Sequence, residues 1–160
     1  MRKSYIELDS DEEIDSNPIH IKAYVIGANR SGKTSFIKRI LFNTFTFYYT
    51  QTKSIEIYKK IIYKPYSLSD SYRPKINIEF WDIPPNYKIN KIHINDILIV
   101  VFKDKMPQLP NIPIRTWLLY RDKKPNNFTC VNEIKIDNLE NTGIKTFVKS
   151  VLNEFTIKYH

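Results

Sequence analysis

The sequence predicts an α/β fold, and three observations predict it. The apolar-rich run 21–26 reads as a buried strand; Gly27-Ala28-Asn29-Arg30-Ser31-Gly32-Lys33-Thr34 follows it at once. Residues 35–42 come next, with Phe36, Ile37, Ile40 and Leu41 at helical spacing. Ile97-Leu98-Ile99-Val100-Val101-Phe102 is an unbroken apolar run of strand length, the best buried strand in the chain. Finally, residues 142–155 place Ile144, Phe147, Val148, Val151, Leu152 and Phe155 on one face of a helix.

The first of these observations carries chemistry. Residues 27–34 spell G-x-x-x-x-G-K-[ST], the P-loop, in the strand–loop–helix context the motif needs. Such a loop wraps phosphate oxygens with backbone N–H groups, and the helix N-terminus adds partial positive charge. Gly27, Asn29, Arg30, Ser31, Gly32, Lys33, Thr34 and Ser35 are the candidate phosphate-binding residues. Gly27 and Gly32 supply backbone that a side chain would hinder. Lys33 brings a full charge to the β/γ-phosphates, and Thr34 offers a hydroxyl to Mg²⁺. The chain has only three glycines, and two of them sit in this motif. Arg30 also stands where it would neutralise phosphate charge in cis, although a solvated loop arginine is the commoner outcome.

The elements run in order as follows. Residues 1–18 read as an acidic, disordered tail closed by Asn17-Pro18, and 19–160 as the domain. A strand at 20–26 and a helix at 33–43 flank the P-loop. Phe45, Phe47, Tyr48 and Tyr49 lie in a linking segment. A strand at 54–63 is broken by the Pro- and Ser-containing loop 64–74. Residues 76–81 alternate apolar and polar, which makes 54–81 an antiparallel pair. Residues 82–86 form a turn. Strands follow at 97–102, 114–120 and 128–136, then the helix at 142–155.

Composition narrows the classes. A chain of 160 residues fits one domain with a real core. No apolar run approaches membrane-spanning length, and no secretory leader is seen. One cysteine, Cys130, excludes an internal disulfide framework and suits a reducing, cytoplasmic setting; in an alternating stretch it reads as a small core residue. The last residues, Ile157-Lys158-Tyr159-His160, carry no lipid-anchor motif. Six acidic residues (Glu7, Asp9, Asp11, Glu12, Glu13, Asp15) stand against Arg2 and Lys3 in residues 1–16, a net −4 in a chain of net +8. No nucleic-acid-binding motif accompanies the basic body, so nucleic acid is not the expected partner. The Ile, Lys, Asn and Tyr bias is that of an A/T-rich coding genome, as in large DNA viruses or parasites.

Strand, P-loop, helix, hairpin, Trp81-Asp82, buried strand, strand and terminal helix resemble, in that order, the Ras-like small GTPases, in particular Rab or Rho members. The resemblance covers residues 20–157. It implies the three-layer P-loop NTPase fold. It also implies guanine nucleotide (GTP/GDP) with Mg²⁺ as ligand, and protein regulators or effectors as partners. Thr52 resembles the switch I threonine, with Thr50 as a competing choice, and Asp82 the Walker B aspartate. Thr34, Thr52 and Asp82 are thus the implied metal set.

Departures from the family pattern shape the expected function. Pro85 stands where the family has a γ-phosphate-sensing glycine, and proline has no N–H to give. Asn86 stands where a water-positioning glutamine belongs, and is the candidate catalytic residue. Of the guanine-reading Asn-Lys-x-Asp only Asp122 is kept, in Leu119-Tyr120-Arg121-Asp122. Three prolines (Pro107, Pro110, Pro113) leave little room for a helix before residue 114. Only seven residues separate Tyr120 from Phe128, short for a parallel crossover, so the strand near 128–136 is expected to pair antiparallel or to lie elsewhere. The expected fold is therefore trimmed, with some helices of the second half lost. The expected function is a guanine-nucleotide-binding switch or decoy with weak or absent hydrolysis. A P-loop ATPase or nucleotide kinase, and a non-catalytic pseudo-GTPase module, are the alternatives.

Overall fold

The computed structural model describes residues 19–44, 53–63, 75–128, 130, 132–137 and 140–156. The elements are β1 (Ile19–Ile26), α1 (Lys33–Phe42), β2 (Glu56–Tyr63), β3 (Lys75–Asp82), β4 (Ile97–Phe102), β5 (Arg115–Tyr120), β6 (Asn132–Lys135) and α2 (Ile144–Thr156). They form one six-stranded sheet in the order β2-β3-β1-β4-β5-β6. β2 runs antiparallel to β3, as its alternating sequence predicts, and every other pair is parallel. The acidic tail, the aromatic linking segment with Thr50 and Thr52, and the loop 64–74 lie outside the described residues.

Sequence period decides which face each side chain meets. Along β1, Ile21, Ala23 and Val25 point to one face, and Tyr24 and Ile26 to the other. β4 is buried at all six positions because both of its faces are covered. On the first face α1 contributes Phe36, Ile37 and Ile40, and α2 contributes Phe147, Val151, Leu152 and Phe155. Phe147 sits edge-on to Phe36 at 5.1 Å and to Trp117 at 6.4 Å. The buried Trp117 indole donates to Ser150 Oγ at 2.9 Å, which satisfies its one polar atom.

The second face is covered differently. Leu98, Val100, Phe102 and Leu118 are capped by loop residues, including Ile83, Ile89, Ile92, Met106 and Phe128. Among the described residues there are two α-helices, and both lie on the first face. The third layer is thus built from loops, in keeping with helices lost from the second half. A polar brace holds one loop down. The buried Tyr24 hydroxyl donates to the Lys91 carbonyl at 3.0 Å, and Asp96 Oδ2 lies 3.4 Å from it. Burial and that carboxylate push the phenol up to about 12. Asp96 Oδ2 in turn accepts from the His93 N–H at 2.8 Å.

One topological expectation is corrected. The strand near 128–136 neither pairs antiparallel nor lies apart: it pairs parallel with β5, from Trp117↔Asn132 to Tyr120↔Lys135. The strand starts at Asn132, not Phe128, so residues 121–131 are all available for the return. Among the described residues of that span there is no helix. Ile136 N–H then donates to the Tyr120 carbonyl at 2.8 Å, which fixes the register.

Candidate functional site

The C-terminal ends of β1, β3, β4, β5 and β6 all fall on one edge of the sheet, because these strands are mutually parallel. In open α/β sheets this is the edge where ligands bind. Gly27 follows β1 there, directly beside β4. A Cβ at Gly27 would meet the Val101 carbonyl oxygen at 2.6 Å and Ser31 Oγ at 2.4 Å. The glycine is therefore required for space, not for an unusual φ. Gly32 is the conformational case: it is the N-cap of α1 at φ 100°, in the left-handed region. Arg30 shares that region at φ 62° without the freedom of glycine, and its side chain is exposed.

Between these residues the loop closes on itself. Ser31 N–H donates to the Ala28 carbonyl at 3.1 Å, and Phe36 N–H to the Gly32 carbonyl at 2.9 Å. Gly32 has no side chain to cap the first turn of α1, and that turn contains no acidic residue. No acidic residue of the helix's own first turn answers its dipole; the one carboxylate that reaches that turn in the described contacts is Asp82, from the end of β3, at Thr34. Ser31 Oγ is buried with no hydrogen-bond partner.

Lys33 and Asp82 are the charged pair of the site. Lys33 is 7% exposed and Asp82 fully buried. Burial lowers the Lys33 pKa, and the Asp82 charge works against that shift. Thr34 Oγ1 donates to Asp82 Oδ2 at 2.5 Å, joining the first turn of α1 to the end of β3 across 48 residues of sequence. A P-loop hydroxyl and a strand-end carboxylate in contact form one side of a site for a hard cation, and phosphate oxygens complete such a site. No cluster of three or more His, Cys, Asp or Glu suited to a metal occurs among the described residues. This donor set therefore fits a cation shared with a polyphosphate, and the uncapped helix end and orphaned Ser31 hydroxyl fit the polyphosphate itself.

The remaining predicted residues are more scattered. Asn29 is exposed on the loop and Ser35 half-buried in the first turn of α1. Asn86 is exposed, with φ 74°, and the Tyr87 N–H reaches the Pro84 carbonyl at 3.4 Å. Proline second and a positive-φ asparagine third is the composition of a type II turn. Pro85 and Asn86 thus have a structural job that their sequence already spelled out. Asp122 is exposed just beyond β5, on the ligand edge. Thr52 lies outside the described residues.

Sequence reasoning missed two supports. The Val101 carbonyl forms the wall behind Gly27, and only the strand pairing reveals it. Lys60 of β2 donates to the Ile40 carbonyl at 2.5 Å, anchoring the last turn of α1. That α1 ends there is also written in Asn43, whose φ of 53° and N–H to the Arg39 carbonyl at 3.0 Å close the helix.

A P-loop between β1 and α1, a strand-end aspartate on the P-loop threonine, and this strand order define a Ras-like P-loop domain. The family model described as "Ras of Complex, Roc, domain of DAPkinase" matches residues 22–137, and the chain belongs to that Roc family. Among solved structures, Methanosarcina barkeri Roco2 RocCORdC, bound to GDP, is similar with a TM-score of 0.58 and 18% identity. The match covers 86% of this chain and 50% of that one, so this chain spans half the length of the Roco2 structure. No curated protein matches by sequence.

Proposed function

We propose that the chain binds a guanine nucleotide with Mg²⁺ and acts as a switch or decoy toward regulatory protein partners in the cytoplasm. Gly27, Asn29, Arg30, Ser31, Gly32, Lys33, Thr34 and Ser35 hold the phosphates. Thr34 and Asp82 hold Mg²⁺, joined by Thr52 in the triphosphate state. Bound there, Mg²⁺ would neutralise β/γ-phosphate charge. The observation that carries this reading is the 2.5 Å contact between Thr34 Oγ1 and Asp82 Oδ2 behind a buried Lys33. Membership of the Roc family and the GDP held by the Roco2 structure support guanine as the base. Titration with a fluorescent GTP analogue, with Mg²⁺ and with EDTA, tests the reading. Tight binding weakened by EDTA is expected; affinity indifferent to Mg²⁺ would count against the Thr34–Asp82 site.

Hydrolysis is expected to be very slow or absent. Pro85 has no N–H, and Asn86 is a short, exposed side chain committed to a turn. Single-turnover measurement at saturating GTP checks this. A rate matching an ordinary small GTPase would show that another group positions the water.

Base preference is expected to be modest. Asp122 is the sole retained member of the base-reading motif, and it is exposed. Losing a buried polar pairing costs about 1–3 kcal/mol, so GTP-over-ATP preference should fall by one to two orders of magnitude from that of a full motif. Competition of GTP against ATP measures the ratio. Strong GTP selectivity surviving Asp122→Ala would place base reading in other residues. Strong selectivity lost in that variant would show that the eroded motif still works. Preference for adenine would instead favour a P-loop ATPase or nucleotide kinase, and absence of binding a pseudo-GTPase module.

A further inference from the structure

β5 and β6 end side by side on the ligand edge. Their parallel register reaches Tyr120↔Lys135, and Ile136 N–H donates to the Tyr120 carbonyl at 2.8 Å. Arg121 is the next residue beyond β5, and Asp137 the next beyond Ile136. Their side chains meet there, Arg121 Nε to Asp137 Oδ2 at 3.8 Å. That is an ion pair too long for a hydrogen bond. With Arg121 exposed, such a pair adds little to stability.

The carboxylate is nevertheless held firmly. Asp137 and Thr142 exchange both backbone hydrogen bonds, at 3.1 and 3.0 Å, and Glu140 N–H donates to Asp137 Oδ1 at 3.2 Å. Gly143 then turns the chain into α2 at φ 80°, where a Cβ would collide with the Lys135 carbonyl oxygen. Asn141 Nδ2 donates to Asn43 Oδ1 at 3.0 Å, which ties this loop to the C-cap of α1. α1 starts at the P-loop and has ten residues, so about 15 Å of rigid helix separates this loop from the phosphate site. Along the sheet edge, the three strand spacings from β1 to β6 come to about 14 Å. A nucleoside spans such a gap between its phosphates and its base. Asp122, by contrast, lies in the bend after β5, with no hydrogen bond or ion pair among the described residues to orient it.

The two side chains match one base. Along the guanine edge two acceptors, N7 and O6, are followed by two donors, N1–H and the 2-amino group. Arg121 offers donors and Asp137 acceptors, next to each other. Adenine carries a donor at its 6-position and an acceptor at N1, which would set like against like. A carboxylate accepts at about four sites, so a base edge and the Glu140 amide can share it.

We propose that Arg121 and Asp137 determine base specificity, Asp137 accepting from guanine N1–H and the 2-amino group and Arg121 donating to O6 and N7. The assignment rests on guanine-nucleotide binding at the P-loop, and it moves base reading from Asp122 to the ends of β5 and β6.

The test is titration of the intact chain, with Mg²⁺, against ribose-labelled fluorescent GTP, ATP, xanthosine triphosphate and 7-deaza-GTP. Asp137→Asn keeps an oxygen for the Glu140 N–H and turns an amide donor toward the 2-carbonyl of xanthine. It should weaken GTP at least about tenfold and tighten xanthosine triphosphate by a similar factor. A gain for xanthine cannot come from a damaged fold. Arg121→Met should weaken GTP about tenfold and erase the discrimination of the parent against 7-deaza-GTP, which lacks N7. Asp122→Asn should leave every ratio at its parent value. If the parent binds GTP, loss of GTP in Asp137→Asn without a gain for xanthosine triphosphate, an unchanged ratio of the two, or a ratio inverted by Asp122→Asn would overturn this assignment alone. A parent that binds no guanine nucleotide would overturn it together with the proposed function.

Discussion

Lys33→Ala is expected to abolish nucleotide binding while leaving the sheet intact. The ammonium is buried, and burial lowers its pKa against the pull of Asp82. A fixed cation in a low-dielectric cradle interacts with phosphate far more strongly than a solvated one. Charge-assisted hydrogen bonds contribute about 1.5–3 kcal/mol each, and in the proposed site Lys33 would meet the β- and γ-phosphates, so the loss should exceed about a hundredfold in affinity. Titration with the fluorescent GTP analogue, on protein whose far-UV circular dichroism matches the parent, measures it. Affinity within a few-fold of the parent would remove the phosphate site from the account.

Gly27→Val is expected to do comparable damage by a different route. Two of the three atoms nearest a new Cβ belong to side chains, Ser31 Oγ at 2.4 Å and Lys33 Cγ at 3.1 Å, and these can shift. The third is the Val101 carbonyl oxygen at 2.6 Å, on β4, whose six residues are all buried. That backbone cannot retreat without breaking its pairing with β1 or β5. The loop must move instead, carrying Ser31 and Lys33 away from the phosphate positions. Overpacking of this kind costs about 1–3 kcal/mol of stability, and binding should fall with the loop geometry. Urea denaturation and nucleotide titration read the two effects separately. Gly32→Ala provides the contrast: its cost is strain at φ 100°, about 1–2 kcal/mol. A Gly27→Val variant that binds like the parent would mean that the loop is not held against β4 as described.

Much of this was legible in the residues because local signals and tertiary context agree. The strand–P-loop–helix unit, the alternation in β3 and the unbroken apolar run of β4 each state their own burial. Asp82 was legible as a site residue through its place at the end of a strand and its likeness to the Walker B aspartate of the Ras-like family; the structure sets it on the phase of Ile76, Ile78 and Phe80, the face on which α1 lies. Where sequence reading failed, pairing decided the outcome. The parallel placement of β6 depends on where the strand starts, and the four residues before Asn132 look as strand-like as those after it. The reason for Gly27 could not be told apart from that for Gly32, since one answers to a neighbouring strand and the other to its own φ. Asn86 carries two readings at once: its position suggests catalysis, and the Pro-Asn composition states a turn, which the structure contains. The loop layer on the second face was readable only in part, since prolines exclude a helix without saying what will cover Val100 and Leu118.

Guanine nucleotide in the P-loop is the central claim, and the nucleotide carried by the protein as purified tests it most directly. The folded protein is denatured, and the released small molecules are identified and quantified by anion-exchange chromatography, in parallel with Lys33→Ala. GDP or GTP at a substantial fraction of one per chain, and none from the variant, is the predicted result. Adenine nucleotide, or an empty protein that also fails to take up added GTP with Mg²⁺, would contradict it.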